Sequence, residues 1–151
     1  MMVSLRRAVA ADSELLFGWV NASDSLANKL FTSGPIERLS HEIWFAARLT
    51  DPECSLWIVQ LDGSAAGQIR LTERSGVFEV DIYIAPSFRR SGVAKSALTL
   101  AVAELMTENG GRMLVRARVK SVNTASRRLF ENASFSLSQQ QSDHVVYDLI
   151  V

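Results

Sequence analysis

The chain has 151 residues, 48% of them apolar, and its 16 basic residues balance 16 acidic ones. That is enough for one domain with a real core, and zero formal net charge argues against a general nucleic-acid binder, which carries a basic surplus. The single cysteine, Cys54, rules out an internal disulfide and fits a reducing compartment.

The N-terminal "MVSLRRAV" alternates well enough for a short strand, and Asp12 is placed to cap a helix running through Asn21, with Leu15, Leu16 and Trp19 at helical spacing. The opening "MMVSLRRAVAADSELL" lacks a signal-peptide core. The polar stretch "ASDSLANKLFTSGPIERLS", broken at Gly34–Pro35, reads as a loop or a frayed second helix. Ser40 is the expected cap of "HEIWFAARL", whose Ile43, Trp44 and Ala47 can share a face. After Asp51–Pro52 the period changes. "SLWIVQL" and "AAGQIRLTE" are β-rich and flank Asp62–Gly63, a strong hairpin signal. "RSG" then turns the chain into "VFEVDIYI", with Val80, Ile82 and Ile84 on one face, which completes an antiparallel meander. "GVAKSALTLAVAELMTENGG" is a long helix with Ala94, Leu98, Ala101 and Leu105 in a stripe, stopped by Gly110–Gly111. A strand "RMLVRARV", a short helix "NTASRRLFENA" and two closing strands, "FSLSQ" and "HVVYDLIV", follow. No apolar run approaches the roughly 18 residues of a membrane span.

The expected order is thus β-α-α-β-β-β-α-β-α-β-β, an α+β (mixed α/β) fold around one mostly antiparallel sheet, in a single domain covering residues 1–151. The strand ending at Ile84, the helix from Val93 and the strand from Arg112 form one βαβ unit, and a right-handed crossover makes its two strands parallel neighbours.

Within that unit, "IAPSFRRSGVAKS" places a basic, glycine-containing loop between strand and helix, a layout suited to a phosphate. A dinucleotide fingerprint needs three glycines where only Gly92 stands, and a Walker loop fails because Ala94 replaces its second glycine. A third pattern, Q/R-x-x-G-x-G/A, is met by Arg89, Gly92 and Ala94. Its small residues let a ligand approach the backbone N–H groups of Arg90, Ser91, Gly92, Val93, Ala94 and Lys95, and the cations of Arg89, Arg90 and Lys95 suit a diphosphate. An ordinary loop with solvated arginines is the other reading.

"VDIYIAPSFRRSGVAKSAL" and "VNTASRRLFENASF", in the derived element order, resemble the GNAT superfamily of N-acetyltransferases over nearly the whole chain. The resemblance implies acetyl-CoA as co-substrate, its pyrophosphate gripped by this loop, with no metal. It assigns backbone contacts with the pantetheine arm and thioester to Ile82, Tyr83 and Ile84, and a CoA contact to Asn123, which otherwise caps the helix after it. Where relatives carry a tyrosine that protonates the departing thiolate, this chain has Phe130, leaving Ser126, Tyr83 or water as donors. A narrower resemblance, carried by "WVNASDS", "FTSGPI", "HEIWFAARLTDP", "LWIV" and "GQIRL", is to acetyltransferases of the pseudaminic acid type that act on the 4-amino group of UDP-linked sugars. A departure from them is "LANKLF", where those relatives commonly carry an arginine.

Acetyl transfer to an amine also needs a base, because an ammonium is not nucleophilic. Glu79 and His41 are the candidates, with a cross-strand pair and a packed helix face as their structural alternatives. Trp44, Phe45 and Trp57 can stack on a ring or belong to the core, and Gln68 and Arg70 can meet an acceptor. The histidines and cysteine have no metal-site spacing. The expected partner is a small-molecule amine, with no nucleic acid and no membrane, in the cytoplasm. A peptide acceptor, a silent acyl-CoA-binding module, and a monomer or homodimer all stay open at this point.

Overall fold

The computed structural model describes residues 1–29 and 34–151. The "LANKLF" and "FTSGPI" stretches run into the four intervening positions, so the expectations placed there lie partly outside the described residues.

Seven strands form one sheet in the order β1-β2-β3-β4-β5-β7-β6. They are β1 (Val3–Arg7), β2 (Cys54–Leu61), β3 (Ser64–Arg74), β4 (Val77–Ile84), β5 (Leu114–Lys120), β6 (Ser136–Gln140) and β7 (His144–Ile150). Every neighbouring pair is antiparallel except β4–β5, the parallel pair expected from the βαβ unit. The turn at Asp62–Gly63 has positive φ at both residues, 51° and 86°, and Ser75–Gly76 repeats this with 52° and 80°. Such turns match the twist of the strands they join, which fixes the register of the β2-β3-β4 meander.

Alternation along the strands divides the core in two. Trp57, Val59, Ile69, Leu71, Phe78 and Ile84 belong to the larger cluster, beneath α4 (Val93–Asn109) and α5 (Thr124–Asn132). Leu56 and Ile58 belong to a smaller cluster beneath α1 (Ser13–Val20) and α3 (Arg38–Thr50). Between those two helices lies the short α2 (Ser23–Ala27). In α4 the predicted stripe is present and wider, since Val93, Ala97 and Val102 are buried with Leu98, Ala101 and Leu105. Gly110, at φ 64°, ends the helix in the left-handed conformation.

Three local expectations are corrected. Asp12 does not cap α1; its carboxylate accepts from Val9 N–H and from the Arg6 guanidinium, at 2.8 Å in each bond. Arg6, the nearest cation, takes the carboxylate first. Helix α3 begins at Arg38 with Glu37 in the cap position, three residues ahead of the expected cap Ser40. Its buried face is His41 and Phe45, whereas Ile43 stays 63% exposed. Three consecutive apolar residues, Ile43, Trp44 and Phe45, fit either face, and packing on Leu56 and Ile58 selects the one centred on Phe45.

The Arg6–Asp12 pair joins β1 to the turn before α1. Its hydrogen bonds and charge hold the Asp12 carboxyl below the usual carboxylate range, against an opposing effect of burial. A depressed folded-state pKa stabilises the fold above the unfolded value of about 3.9, and the effect is lost as pH falls through the folded value. Asp12→Asn should therefore lower stability at pH 7, and the gap to the parent protein should close in denaturant titrations carried progressively below about pH 4. A gap that stays constant with pH would remove the ion pair as the cause.

Candidate active site

The parallel pair holds together only briefly. Val77, Phe78 and Glu79 of β4 stand opposite Leu114, Val115 and Arg116 of β5. Beyond Glu79, β4 stays with β3 as far as Ile84, while β5 stays with β7 as far as Lys120. The two strands diverge towards their C-terminal ends, and a wedge opens between them. In open sheets containing parallel strands, this end is where ligands bind.

Backbone directions show which groups line the wedge. Ala85 N–H donates to Ala66 O at 2.8 Å, so position 85 faces the β3 side. Strand alternation then turns the backbone of Tyr83 towards β3 and those of Ile82 and Ile84 towards the opening. Consistent with this, the Ile84 carbonyl accepts from Arg89 Nε at 2.7 Å. Of the three backbone positions expected at the cleft, Ile82 and Ile84 offer N–H groups, whereas Tyr83 offers its ring.

Both strands lead directly into helix N-termini at the open end. After β4, Arg90 (φ 65°) and Gly92 (φ 76°) adopt left-handed conformations, which curl the loop so that α4 starts at Val93. The first-turn N–H groups of Val93, Ala94 and Lys95 have no acceptor within the helix; Ser96 N–H is the first to be taken, by Gly92 O at 3.1 Å. Ser91 Oγ is tied back to Phe88 O. After β5, Asn123 caps α5, its Oδ1 accepting from Ser126 N–H at 3.2 Å. The cap reading of Asn123 is thus realised, and its carboxamide nitrogen takes no part in that bond.

The cations of the loop are not equivalent. Arg90 and Lys95 are exposed and make no ion pair among the described residues. Arg89 is turned away, with its guanidinium bonded to Asp24 of α2 and lying 5.3 Å from the Tyr83 ring. Tyr83 Oη also donates to Asp24, at 3.2 Å. Burial raises the pKa of the Tyr83 phenol, with the Asp24 charge adding to it. Burial also pushes the Asp24 carboxyl up, but bonds from Arg89, Ser25 and Tyr83 together hold it below its ordinary range.

The face of β3-β4-β5 beneath α1–α3 carries alternating charge. Glu79, at the last paired position of β4, has Oε1 3.2 Å from Arg118 Nε. Gln68 Nε2 donates to Asp81 Oδ2 at 2.9 Å, and Arg70 lies 3.9 Å from the same oxygen. The Arg70 guanidinium covers the half-buried Trp44 ring at 4.9 Å. Gln68, Arg70 and Trp44 are therefore brought together around Asp81.

Other expected residues lie elsewhere. His41 is only 2% exposed, stacked 5.9 Å from Phe45 and close to Phe17 and Trp44, so it packs α3 instead of reaching the cleft as a base. Phe130 is a core residue, edge-on to Phe135 at 5.1 Å, which corrects its expected place beside the cofactor. Ser126, one turn earlier, is half-buried at the start of α5. Trp57 and Phe45 are core.

The sequence reading passed over Asp24, Asp81 and Gly67 as site-forming residues. Asp24 and Asp81 are ordinary surface acids until the fold is known. Gly67 stands inconspicuously within "GQIRL", yet a Cβ on it would meet Tyr83 O at 2.1 Å and Ile84 Cα at 2.9 Å. Only glycine lets β3 pass that close to the end of β4.

The family model described as the acetyltransferase (GNAT) family matches residues 19–135. The chain belongs to that family. The match spans the wedge, the loop before α4 and the start of α5, and family membership makes the protein an acyltransferase using acetyl-CoA as donor. A comparison with curated proteins gives no match. Among solved structures, a domain from Methanocaldococcus jannaschii DSM 2661 is similar at 17% identity and TM-score 0.85, covering 99% of each chain. The aminoglycoside acetyltransferase AAC(6')-Ib in complex with coenzyme A follows at 17% identity and TM-score 0.82, with 99% of this chain and 94% of that one covered. Spermidine N-acetyltransferase from Vibrio cholerae, in complex with CoA and spermine, gives 16% identity and TM-score 0.83 over 99% and 94%. At these identities the likeness is one of fold.

Two glycines should separate backbone conformation from space. No atom lies within 4 Å of a Cβ built on Gly92, so its requirement is the positive φ. Gly92→Val should cost about 1–2 kcal/mol of conformation and lower CoA affinity about tenfold, while Gly92→Asn, which tolerates this conformation, loses less of both. Gly67→Ala should destabilise by about 1–3 kcal/mol through overpacking. Thermal unfolding and calorimetric titration check all three, and equal behaviour of the Val and Asn variants would refute the conformational reading of Gly92.

Proposed function

We propose that this GNAT protein transfers an acetyl group from acetyl-CoA to the primary amine of a small acceptor, and that a nucleotide-linked amino sugar is the narrower candidate. One observation carries the reading: the wedge between β4 and β5, flanked by the N-termini of α4 and α5. The donor supplies a thioester activated for attack by an amine. The chain's part is to hold it: N–H groups of Val93, Ala94 and Lys95, with the side chains of Arg90 and Lys95, suit the diphosphate. Backbone N–H groups of Ile82 and Ile84 suit the arm and the thioester oxygen, where a fixed donor stabilises developing negative charge. Asn123 and Ser126 border the same opening from α5.

On the acceptor side, Trp44, Gln68, Arg70 and Asp81 form a polar wall with one aromatic surface. Such a wall fits a hydroxylated ring once Arg70 moves from the indole. This, with the sequence likeness, supports an amino-sugar acceptor. Glu79 is the remaining base candidate. It stands at the vertex of the wedge with Oε1 held by Arg118, which leaves Oε2 to take a proton directly or through water.

Incubation with acetyl-CoA and panels of UDP-amino sugars, polyamines, amino acids and peptides, following free thiol, tests the proposal. Turnover is expected with at least one small amine; CoA binding without turnover on any panel would contradict the proposal. Glu79→Gln should lower kcat roughly 10²–10⁴-fold with CoA affinity nearly intact. A change of only a few-fold assigns proton removal to water. Phe130→Tyr should alter kcat by less than about tenfold, because its ring packs in the core against Phe135 and a thiol of pKa about 8.5 already leaves well near neutral pH; a much larger gain would put that ring beside the thioester and contradict its place in the core.

A further inference from the structure

Helix α2 spans the open end of the wedge and is tied to both of its sides. Towards β4, Asp24 accepts from Tyr83 Oη at 3.2 Å and is bonded to the Arg89 guanidinium. Towards β5, Lys120 Nζ donates to Ala27 O at 2.7 Å. Asp24 and Arg89 are far apart in sequence, so their contact joins the acceptor-side helices to the first residue of the phosphate loop. The carboxylate therefore holds the loop's leading cation and puts a negative charge beside the place proposed for the donor's diphosphate.

We propose that Asp24 competes with the donor's diphosphate for Arg89, so that it tunes donor affinity and couples occupation of the phosphate loop to the position of α2 over the acceptor side. This rests on the CoA reading given above. Arg89 Nε is already held by Ile84 O, so the guanidinium is anchored at one end while its other nitrogens can exchange one anion for another. Arg89 and Asp24 side chains are 40% and 33% exposed, so the exchange takes place in contact with solvent. A pair this exposed is worth at most about 1 kcal/mol, equivalent to roughly fivefold in affinity. Loss of like-charge repulsion between Asp24 and the diphosphate acts in the same direction. Asp24 is thus a positioning residue, acting through Arg89.

The test uses Asp24→Asn, which is nearly isosteric and still accepts from Tyr83, with Asp24→Ser as a second variant. CoA affinity should rise roughly three- to fivefold in both, by titration calorimetry at low salt. Added salt should shrink the gain. S-acetyl-pantetheine, which has no diphosphate, should bind the parent and variants alike. In an Arg89→Gln background the Asp24→Asn gain should shrink to the small part owed to relief of like-charge repulsion, as expected for residues that otherwise act as one unit; a gain undiminished there would overturn competition for Arg89. A merely structural role for Asp24 would lower melting temperature and weaken CoA and S-acetyl-pantetheine together. That result, or unchanged or weakened CoA binding in folded variants, overturns the proposal. Failure of the parent protein to bind CoA at all would instead refute the function proposed above.

Discussion

Each of the two central strands has a full partner on its outer side and only a short one on its inner side. Strand β4 is paired along its length to β3, and β5 along its length to β7, so neither can bend towards the other without losing a ladder of backbone bonds. Their shared register ends at Glu79 and Arg116. Past that point the inner N–H and C=O groups lack a strand partner. Unpaired backbone groups are costly when buried and inexpensive when they face solvent or a polar ligand. The wedge therefore offers hydrogen-bonding groups along its length to solvent or to a polar ligand. Because the strands are parallel, the connections leaving them end at the same side and deliver two helix N-termini to one opening. Gly67 belongs to the same constraint, since it lets β3 hug the end of β4 where β5 has departed.

On the sheet face beneath α1–α3, charge is arranged in pairs. Arg118 meets Glu79, Arg70 meets Asp81, Arg89 meets Asp24, and Arg116 holds Asp148 through two bonds of 2.8 and 3.0 Å. These residues come from four strands, one helix and one loop, and the pairing keeps a strongly polar surface close to neutral. A polar molecule meeting this face would exchange partners with existing pairs instead of meeting isolated charges. Exposed pairs of this kind are weak individually, so the exchange is inexpensive. The half-buried pair Arg6–Asp12, which joins β1 to the turn before α1, serves the fold.

Much of this could be read from the residues. Turn chemistry at Asp62–Gly63, the long helix closed by Gly110, and the βαβ unit around the basic loop all follow from local pattern, and local pattern is what sequence exposes. Choices made by long-range packing were harder to see. The face of α3 depended on which of three adjacent apolar residues met β2. The cap at Asp12 depended on Arg6 reaching it first. In the site, the loop and the cleft strand were legible because their backbone requirements leave a glycine and an apolar alternation behind. Asp24, by contrast, leaves no local trace. Its meaning comes from a contact with Arg89 that only the fold creates. His41 misleads for the complementary reason: a titratable ring in sequence suggests chemistry, while three neighbouring aromatic rings make it a packing element.

The central claim is that the inner edge of β4 and the first turn of α4 form one continuous donor surface. Amide hydrogen exchange resolved by residue, with and without saturating acetyl-CoA, tests it most directly. The account predicts that Ile82 and Ile84 gain protection together with Val93, Ala94 and Lys95, while Tyr83, already bonded towards β3, changes little. Protection confined to other elements, or gained by Tyr83 and not by Ile82 and Ile84, would contradict it.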